Sequence, residues 1–367
     1  MDFKSNSAQK PKISVLMSVY NGERFISYAI NSILNQTFKD FEFIIIDDAS
    51  DDKTPEILRK YSDCRIKVFR NDKRIGLTRS LNKGLKLAQG EYIARMDADD
   101  ISLPYRFQKQ KEILDKDQKI ALIGSWVILI DENNQEIKVV KTLIMSHMIK
   151  WRLIFQNIIV HSSVMFRKEA VNIVGGYDES FFYAQDYDLW SKLSYSWDIA
   201  IIPIVLVKWR KTIYQISALK NDSQIEMSHK ISKRNIDYLK NSDIYNEDVD
   251  KIRSLYNHNS NEFDIKYLDM LINNSIEMIH CFVDRYYYSS KEIIDNLIGE
   301  IVIHIINQIR NSNNSFFYKI RMMLFSLNKI KPNIFKTISV FFSTRTIIGV
   351  WFYEYFTNKH TRHSRRS

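Results

Sequence analysis

Carboxylates stand directly after two apolar runs of this 367-residue chain, Asp47-Asp48 after FEFIII and Asp97-Ala98-Asp99-Asp100 after EYIARM. In open α/β sheets, ligands bind just outside the carboxyl ends of the strands. Adjacent acids at the first position could accept hydrogen bonds from a nucleobase or a ribose. They could equally cap the helix that Thr54-Pro55 announces. Asp97 and Asp99, two residues apart, can put two hard oxygen donors on one side of a loop. Such donors suit Mg²⁺ or Mn²⁺ shared with substrate phosphates. The competing reading is a solvated acidic turn capping a helix near Leu103-Pro104. The register with Asp47-Asp48 favours the site.

A third constellation joins Gly175-Gly176-Tyr177-Asp178 to Gln185-Asp186-Tyr187-Asp188-Leu189-Trp190. The glycines permit a turn with positive φ. Asp186 falls at or before the first turn of a helix whose Leu189, Trp190 and Leu193 face inward. A carboxylate there is either an N-cap or a general base aimed into a cleft.

The elements that must position these groups follow from periodicity. Ile13–Val19 and Phe41–Ile46 are apolar runs of the kind a strand buried on both faces shows. Ile66–Phe69 and Glu91–Met96 read as further strands. Between them Glu23–Asn35, Thr54–Tyr61 and Leu77–Ala88 read as helices, the first with Phe25, Ala29 and Ile33 at helical spacing. Strands alternating with helices imply parallel pairing and an α/β class. Beyond Ser217 the texture becomes helical, in Ile225–Leu239, Lys266–Val283 and Lys291–Ile309. The expected organisation is a flexible start over 1–11, a catalytic domain over 12–217, a helical domain over 218–315, and a basic aromatic tail over 316–367.

Composition narrows the classes. With 45% hydrophobic and 26% charged residues the chain is neither disordered, nor collagen-like, nor a polytopic membrane protein. Its two cysteines, Cys64 and Cys281, exclude a disulfide scaffold and a zinc module, and fit a reducing compartment. The start, MDFKSNSAQKPK, contains no stretch of signal-peptide type, so the expectation is an intracellular protein. The net charge of +10 is concentrated in the tail, where ten Lys and Arg face one acid, Glu354. A basic tail looks for an anionic partner or serves solubility alone.

Taken in order, ISVLMSVYNGERFISYAINSILNQTF, FEFIIIDDASDDKT, GLTRSLNKGLKLAQGEYIARMDADD, HSSVMFR, GGYDE and QDYDLW resemble the catalytic domain of family 2 glycosyltransferases, from Ile13 to about Ser217. The resemblance implies the GT-A fold, a Rossmann-like mixed sheet. It implies inverting transfer of a sugar from a nucleotide-sugar donor, UDP-linked in most of the family. By it Ser18 and Tyr20 border the nucleobase, Asp48 accepts a hydrogen bond from the base, and Arg79 approaches the nucleotide. Asp97 and Asp99 match the family's D-x-D, with Asp99 as the direct ligand of Mn²⁺ or Mg²⁺. Asp186 matches the catalytic base. His161, Gln185 and Trp190 fall on the acceptor side, although a packed histidine at a strand edge accounts for His161 as well.

Two positions depart from the family pattern. Gln185 stands where Glu often precedes the base. In WRKTIYQIS, Trp209 and Thr212 replace the tyrosine and histidine of a segment that often reads Tyr-Arg-x-His, which bears on metal affinity.

In the tail, Ile334, Ile338, Phe341, Ile348, Phe352 and Phe356 share much of one helical face. Lys336, Arg345 and Glu354 interrupt the segment, so it reads as an interfacial helix on anionic lipid rather than a span. The alternative is a helix packed on the protein. Nucleic acid is not the expected partner, since no stacking module is recognisable. A membrane-surface enzyme would suit a saccharide or lipid-linked saccharide acceptor of capsule, O-antigen or exopolysaccharide synthesis, on the cytoplasmic face of a bacterial plasma membrane. That step is analogy with the family. Two rivals are a nucleotidyltransferase and a non-catalytic nucleotide-sugar or polysaccharide-binding subunit. The first lacks the basic glycine-rich loop after its first strand, where SVYNGER has one glycine and no lysine. The second is disfavoured by the presence of Asp48, Asp99 and Asp186 together.

Overall fold

The computed structural model of the protein describes residues 10–211, 221–241, 249, 252–253, 265–287, 290–311, 322 and 326. Residues 1–9, Thr212, the boundary expected at 217/218 and the segment 334–356 lie outside them.

The strands β1 (Ile13–Val19), β2 (Phe41–Asp47), β3 (Ile66–Arg70) and β4 (Tyr92–Arg95) pair in parallel in the spatial order β3-β2-β1-β4. Every residue of β1 and β2 is buried. On β1, Ile13, Val15, Met17 and Val19 pack with Ile26, Ala29, Ile30 and Ile33 of α1 (Ile26–Leu34). Leu16 faces the opposite way, toward Leu81 and Leu85 of α3 (Leu77–Leu87). This is the two-residue period of a strand, read as a continuous apolar run because helices cover both faces. Gly90 lets the α3–β4 turn close on β1, since a Cβ there would meet Ser14 N at 2.5 Å.

The expected helix over 23–35 begins only at Ile26. The amides before it are taken by side chains of residues 52 and 54: Gly22 N donates to Thr54 Oγ1 at 2.8 Å and Glu23 N to Asp52 Oδ2 at 2.9 Å. α2 covers Thr54–Arg59 with Pro55 in its first turn, and its first amide, Thr54 N, donates to Asp52 Oδ1 at 2.9 Å.

Parallel pairing ends at β4. The sheet continues through β5 (Ile101–Ser102), β6 (Ile120–Ile130), β7 (Glu136–Val140), β8 (Met165–Arg167) and β9 (Asp198–Arg210). β8 runs antiparallel to both β4 and β6, β6 pairs in parallel with β9, and β5 and β7 add antiparallel partners to β9 and β6. The result is a mixed sheet of the GT-A kind. The order reverses at β1, with β2 on one side and β4 on the other, so their carboxyl ends border one crevice. Helices α4 (Arg106–Lys116), α5 (Ser146–Phe155), α6 (Lys168–Ile173), α7 (Gln185–Ser194) and α8 (Asn221–Lys240) as far as Asn235 belong to this part.

The chain divides into two compact units with the boundary between Asn235 and Ile236. In the second, α9 (Ile265–Tyr287) and α10 (Lys291–Asn311) are the long helices, and their Ile272, Ile276, Ile279, Ile298 and Ile301 line a small apolar cavity. Among the described residues no helix is long and apolar enough to cross a membrane.

Candidate active site

At the end of β1, Ser18 is buried and Tyr20 is exposed. The Arg74 guanidinium lies 3.9 Å from the centre of the Tyr20 ring, a cation-π stack at the mouth of the crevice. Asp47 and Asp48 cap nothing in α2. Asp47 accepts a hydrogen bond from Ser50 N at 3.0 Å and pairs with Arg70. The buried Asp48 accepts from Asn71 Nδ2 at 2.8 Å, Ile75 N at 2.9 Å and Gly76 N at 2.8 Å. Gly76, at φ 90, is the residue that brings its amide round to this carboxylate before α3 starts. A carboxylate offers about four acceptor positions, so Asp48 has one left after organising the 71–76 loop. Arg79, in the first turn of α3, is half exposed and pairs with Glu179 at 3.1 Å.

The acids after β4 are not a helix cap either: α4 starts only at Arg106, and the side chain that accepts from its first turn is Gln36, whose Oε1 takes Phe107 N at 3.2 Å. Asp97, Asp99 and Asp100 each offer a carboxylate oxygen, all within 4.8 Å of one another. Two arginines support them from the protein side. Arg95, with no exposed surface, pairs with Asp97 through Nη1. The Ser162 hydroxyl donates to Asp97 Oδ2 at 2.8 Å. Arg210, at the end of β9, donates from Nε to the Asp99 carbonyl and from its backbone N to Asp100 Oδ1, both at 2.7 Å. Even so, negative charge is in excess. Burial, then the Asp97 charge, pushes the Asp99 carboxyl up to about 6. Burial and the other two acids raise Asp100 well above the ordinary carboxylate range. The buried Asp100 Oδ2 has no hydrogen-bond partner. Three crowded hard oxygens, one of them orphaned, fit a divalent cation of the Mg²⁺ or Mn²⁺ class.

Asp186 is the second residue of α7, past the N-cap position held by Ala184. Asn157, just beyond α5, donates from Nδ2 to Asp186 Oδ2 at 2.8 Å, and Tyr187 N donates to Oδ1 at 2.8 Å. Burial pushes the Asp186 carboxyl up to about 6, against the opposing effects of these donors and of Arg95. The turn that delivers α7 has Gly175 at φ 87 and Gly176 at φ 76, as the double glycine predicts. Asn82 of α3 holds that turn, accepting from Tyr177 N at 3.0 Å and donating to Tyr177 O at 2.8 Å.

His161 shares a 2.8 Å hydrogen bond between Nε2 and the Tyr177 hydroxyl. Burial and the Arg95 charge hold its pKa well below the usual imidazole value, so it is neutral at pH 7. Trp190 has no exposed surface; its ring packs on His161 at 5.7 Å and on Phe166 at 5.9 Å. It therefore backs this wall from within. Gln185 is buried beside the base, with Oε1 lacking a partner.

Five residues that hold these groups escaped the sequence reading: Arg95, Arg210, Asn157, Ser162 and Asn71. Arg95 left a signal, a charge inside the apolar strand EYIARM, which must be paired if buried. Asn157 left none, because its partner lies 29 positions away.

Comparison with known proteins bears on the family and the fold. Residues 14–174 match the family model described as Glycosyl transferase family 2. An uncharacterized glycosyltransferase of Methanocaldococcus jannaschii is 38% identical over 207 residues, covering 55% of this chain and 71% of that protein. The O-antigen biosynthesis glycosyltransferase WbnJ of Escherichia coli is 36% identical over 185 residues, covering 49% of this chain and 71% of the relative. Among solved structures, S. aureus TarS 1–349 in complex with UDP-GlcNAc aligns with a TM-score of 0.54 at 18% identity, covering 87% of this chain and 90% of that one. At that identity the likeness concerns the fold.

Proposed function

The chain belongs to glycosyl transferase family 2 and is a glycosyltransferase, and on that premise we propose that it moves a sugar, with inversion, from a UDP-sugar to a saccharide or lipid-linked saccharide acceptor in surface-polysaccharide synthesis. The observation that carries the mechanistic part is Asp186, a carboxylate held by Asn157 and brought by burial to about 6. A general base works best with a pKa near the operating pH.

Inversion needs no enzyme nucleophile. The acceptor hydroxyl attacks the anomeric carbon on the face opposite the leaving diphosphate, through a transition state of oxocarbenium character. Asp186 takes the hydroxyl proton onto its carboxylate as the new bond forms and the bond to the leaving oxygen breaks. Asn157 keeps that carboxylate in one orientation. Neutral His161, fixed by Tyr177, presents no positive charge to the developing oxocarbenium.

On the donor side, Asp48 and the 71–76 loop organise the base end, with Ser18 and Tyr20 at its border. Asp99, with Asp97 and Asp100, would hold a divalent cation, which when bound supplies positive charge to the departing diphosphate. Arg95 holds the Asp97 carboxylate, and Arg210 holds the Asp99 carbonyl and, through its backbone N, the Asp100 carboxylate. Arg79 would reach the nucleotide after leaving Glu179, an exchange that costs little for a half-exposed pair.

The acceptor class rests on relatives such as WbnJ, whose name states O-antigen biosynthesis. The basic, aromatic tail fits a peripheral position on an anionic membrane surface, where lipid-linked acceptors are found.

Nucleotide release from a panel of nucleotide sugars, with manganese or with chelator and with bacterial lipid extract as acceptor source, tests the proposal. Manganese-dependent release from one UDP-sugar, stimulated by extract, is the expected result. Equal release with chelator would reject the metal's part, and a non-uridine donor would reject UDP.

A further inference from the structure

Helix α8 lies beyond the 14–174 segment that matches the family model, yet its side chains reach both segments that hold Asp186. Arg234 Nη1 pairs with Asp188, which has no exposed surface and sits in the first turn of α7. Asn235 Nδ2 donates to the Leu153 carbonyl at 2.9 Å and to Ser191 Oγ at 3.1 Å, while the Tyr195 hydroxyl donates to Asn235 Oδ1 at 2.6 Å. One turn earlier, Ser232 Oγ donates to the Ile154 carbonyl at 3.0 Å, and Ile231 is buried in the catalytic core.

The pattern is specific to two places. Leu153 and Ile154 are in the last turn of α5, whose carbonyls have no partner within their own helix. Asn157 follows three residues later and donates to Asp186. Asp188 and Ser191 lie on successive turns of α7, whose second residue is Asp186, and Tyr195 directly follows its last residue. Residues 232–235 thus join the segment that supplies the Asp186 donor to the helix that supplies Asp186.

We propose that Arg234 and Asn235 are positioning residues for Asp186, holding the end of α5 and the start of α7 in the one relation that lets Asn157 orient the base. The proposal rests on the reading of Asp186 as general base. An ion pair whose carboxylate is fully buried, as Asp188 is beside the one-third-exposed Arg234, is a poor device for stability alone, because the pairing must first offset the cost of desolvating the acid. Directional contacts to two segments instead fix a relation, and misplacement of a catalytic group by about 1 Å can cost ~10²-fold in rate. Lys192 also reaches Asp188, at 2.8 Å, so loss of Arg234 leaves Asp188 with a cation and removes chiefly the link to α8.

The test compares full-length wild type with Arg234→Met, Arg234→Lys and Asn235→Ala. The readouts are UDP release from the best donor of a UDP-sugar panel and UDP affinity by calorimetry in manganese. Arg234→Met should lower kcat by about 10- to 100-fold with donor KM and UDP affinity unchanged, and Arg234→Lys should recover part of the loss. Unchanged kcat overturns the proposal. So does loss of kcat and UDP affinity in the same proportion, which would mark a merely structural contact. If Arg234→Met does not fold, Asn235→Ala decides by the same split. Asp186→Asn is measured in parallel: retained turnover there means the base reading has failed, whereas lost turnover with an unaffected Arg234→Met means that only the clamp has failed.

Discussion

Asn157 donates a 2.8 Å hydrogen bond to Asp186 across 29 residues of sequence, and Asp186 nonetheless has its carboxyl pushed up to about 6. Burial raises it and the amide opposes the rise by favouring the charged form. Asn157→Ala should therefore raise it further. The acid limb of the pH–kcat profile should move up by about 0.5–1 unit, so the loss in rate is larger at pH 6 than at pH 8. A pH-rate series on both proteins checks this; an equal loss at every pH would contradict it.

The same carboxyl carries a stability cost. Its folded value, about 6, exceeds the ~3.9 of an unfolded aspartate, so the folded state holds the proton more tightly. Ionisation then destabilises the fold progressively between about pH 4 and pH 6, with the full cost present above that window. Asp186→Asn should gain about 1–2 kcal/mol of unfolding free energy at pH 7.5 and nothing at pH 4. Denaturant titrations at the two pH values measure it, and an identical difference at both would show that the carboxyl does not titrate as described.

Asp99 faces a different kind of excess, three carboxylates with one orphaned oxygen. Asp99→Asn should weaken UDP binding in manganese by about tenfold or more, with little change in binding under chelator. Calorimetry in the two conditions separates them. Unchanged binding and rate in manganese would remove Asp99 from the ligand set.

For the tail, truncation after Asn314 removes the ten basic residues that follow Phe316. Co-sedimentation with vesicles rich in anionic lipid should fall to the level seen with neutral vesicles. Equal sedimentation of the full-length and shortened proteins would discard the interfacial helix.

Most of the parallel half was legible because its strands carry apolar residues on both faces, and because acids at strand ends are conspicuous against them. The double glycine before α7 was readable for a similar reason, since only a left-handed turn needs it. The antiparallel continuation was not. β5 has two residues and β8 three, too short to show a period, and their pairing is decided by strands far away in sequence. The supports of the site were hidden by the same physics. Arg95 and Arg210 look like ordinary charges until a buried carboxylate is placed beside them, and Arg234 lies 46 positions from Asp188. The family resemblance puts Trp190 on the acceptor side, and its ring forms a buried backing for His161. An aromatic next to a catalytic motif does not reveal from sequence which of its faces meets solvent.

The central claim is that Asp186 takes the acceptor's proton. Its most direct test is Asp186→Asn, measured for acceptor-dependent turnover and for UDP affinity in manganese on the same preparation. The account predicts turnover reduced by ~10²-fold or more with UDP affinity of the wild-type strength. Turnover within a few-fold of wild type, or loss of turnover only in step with loss of UDP binding, would contradict it.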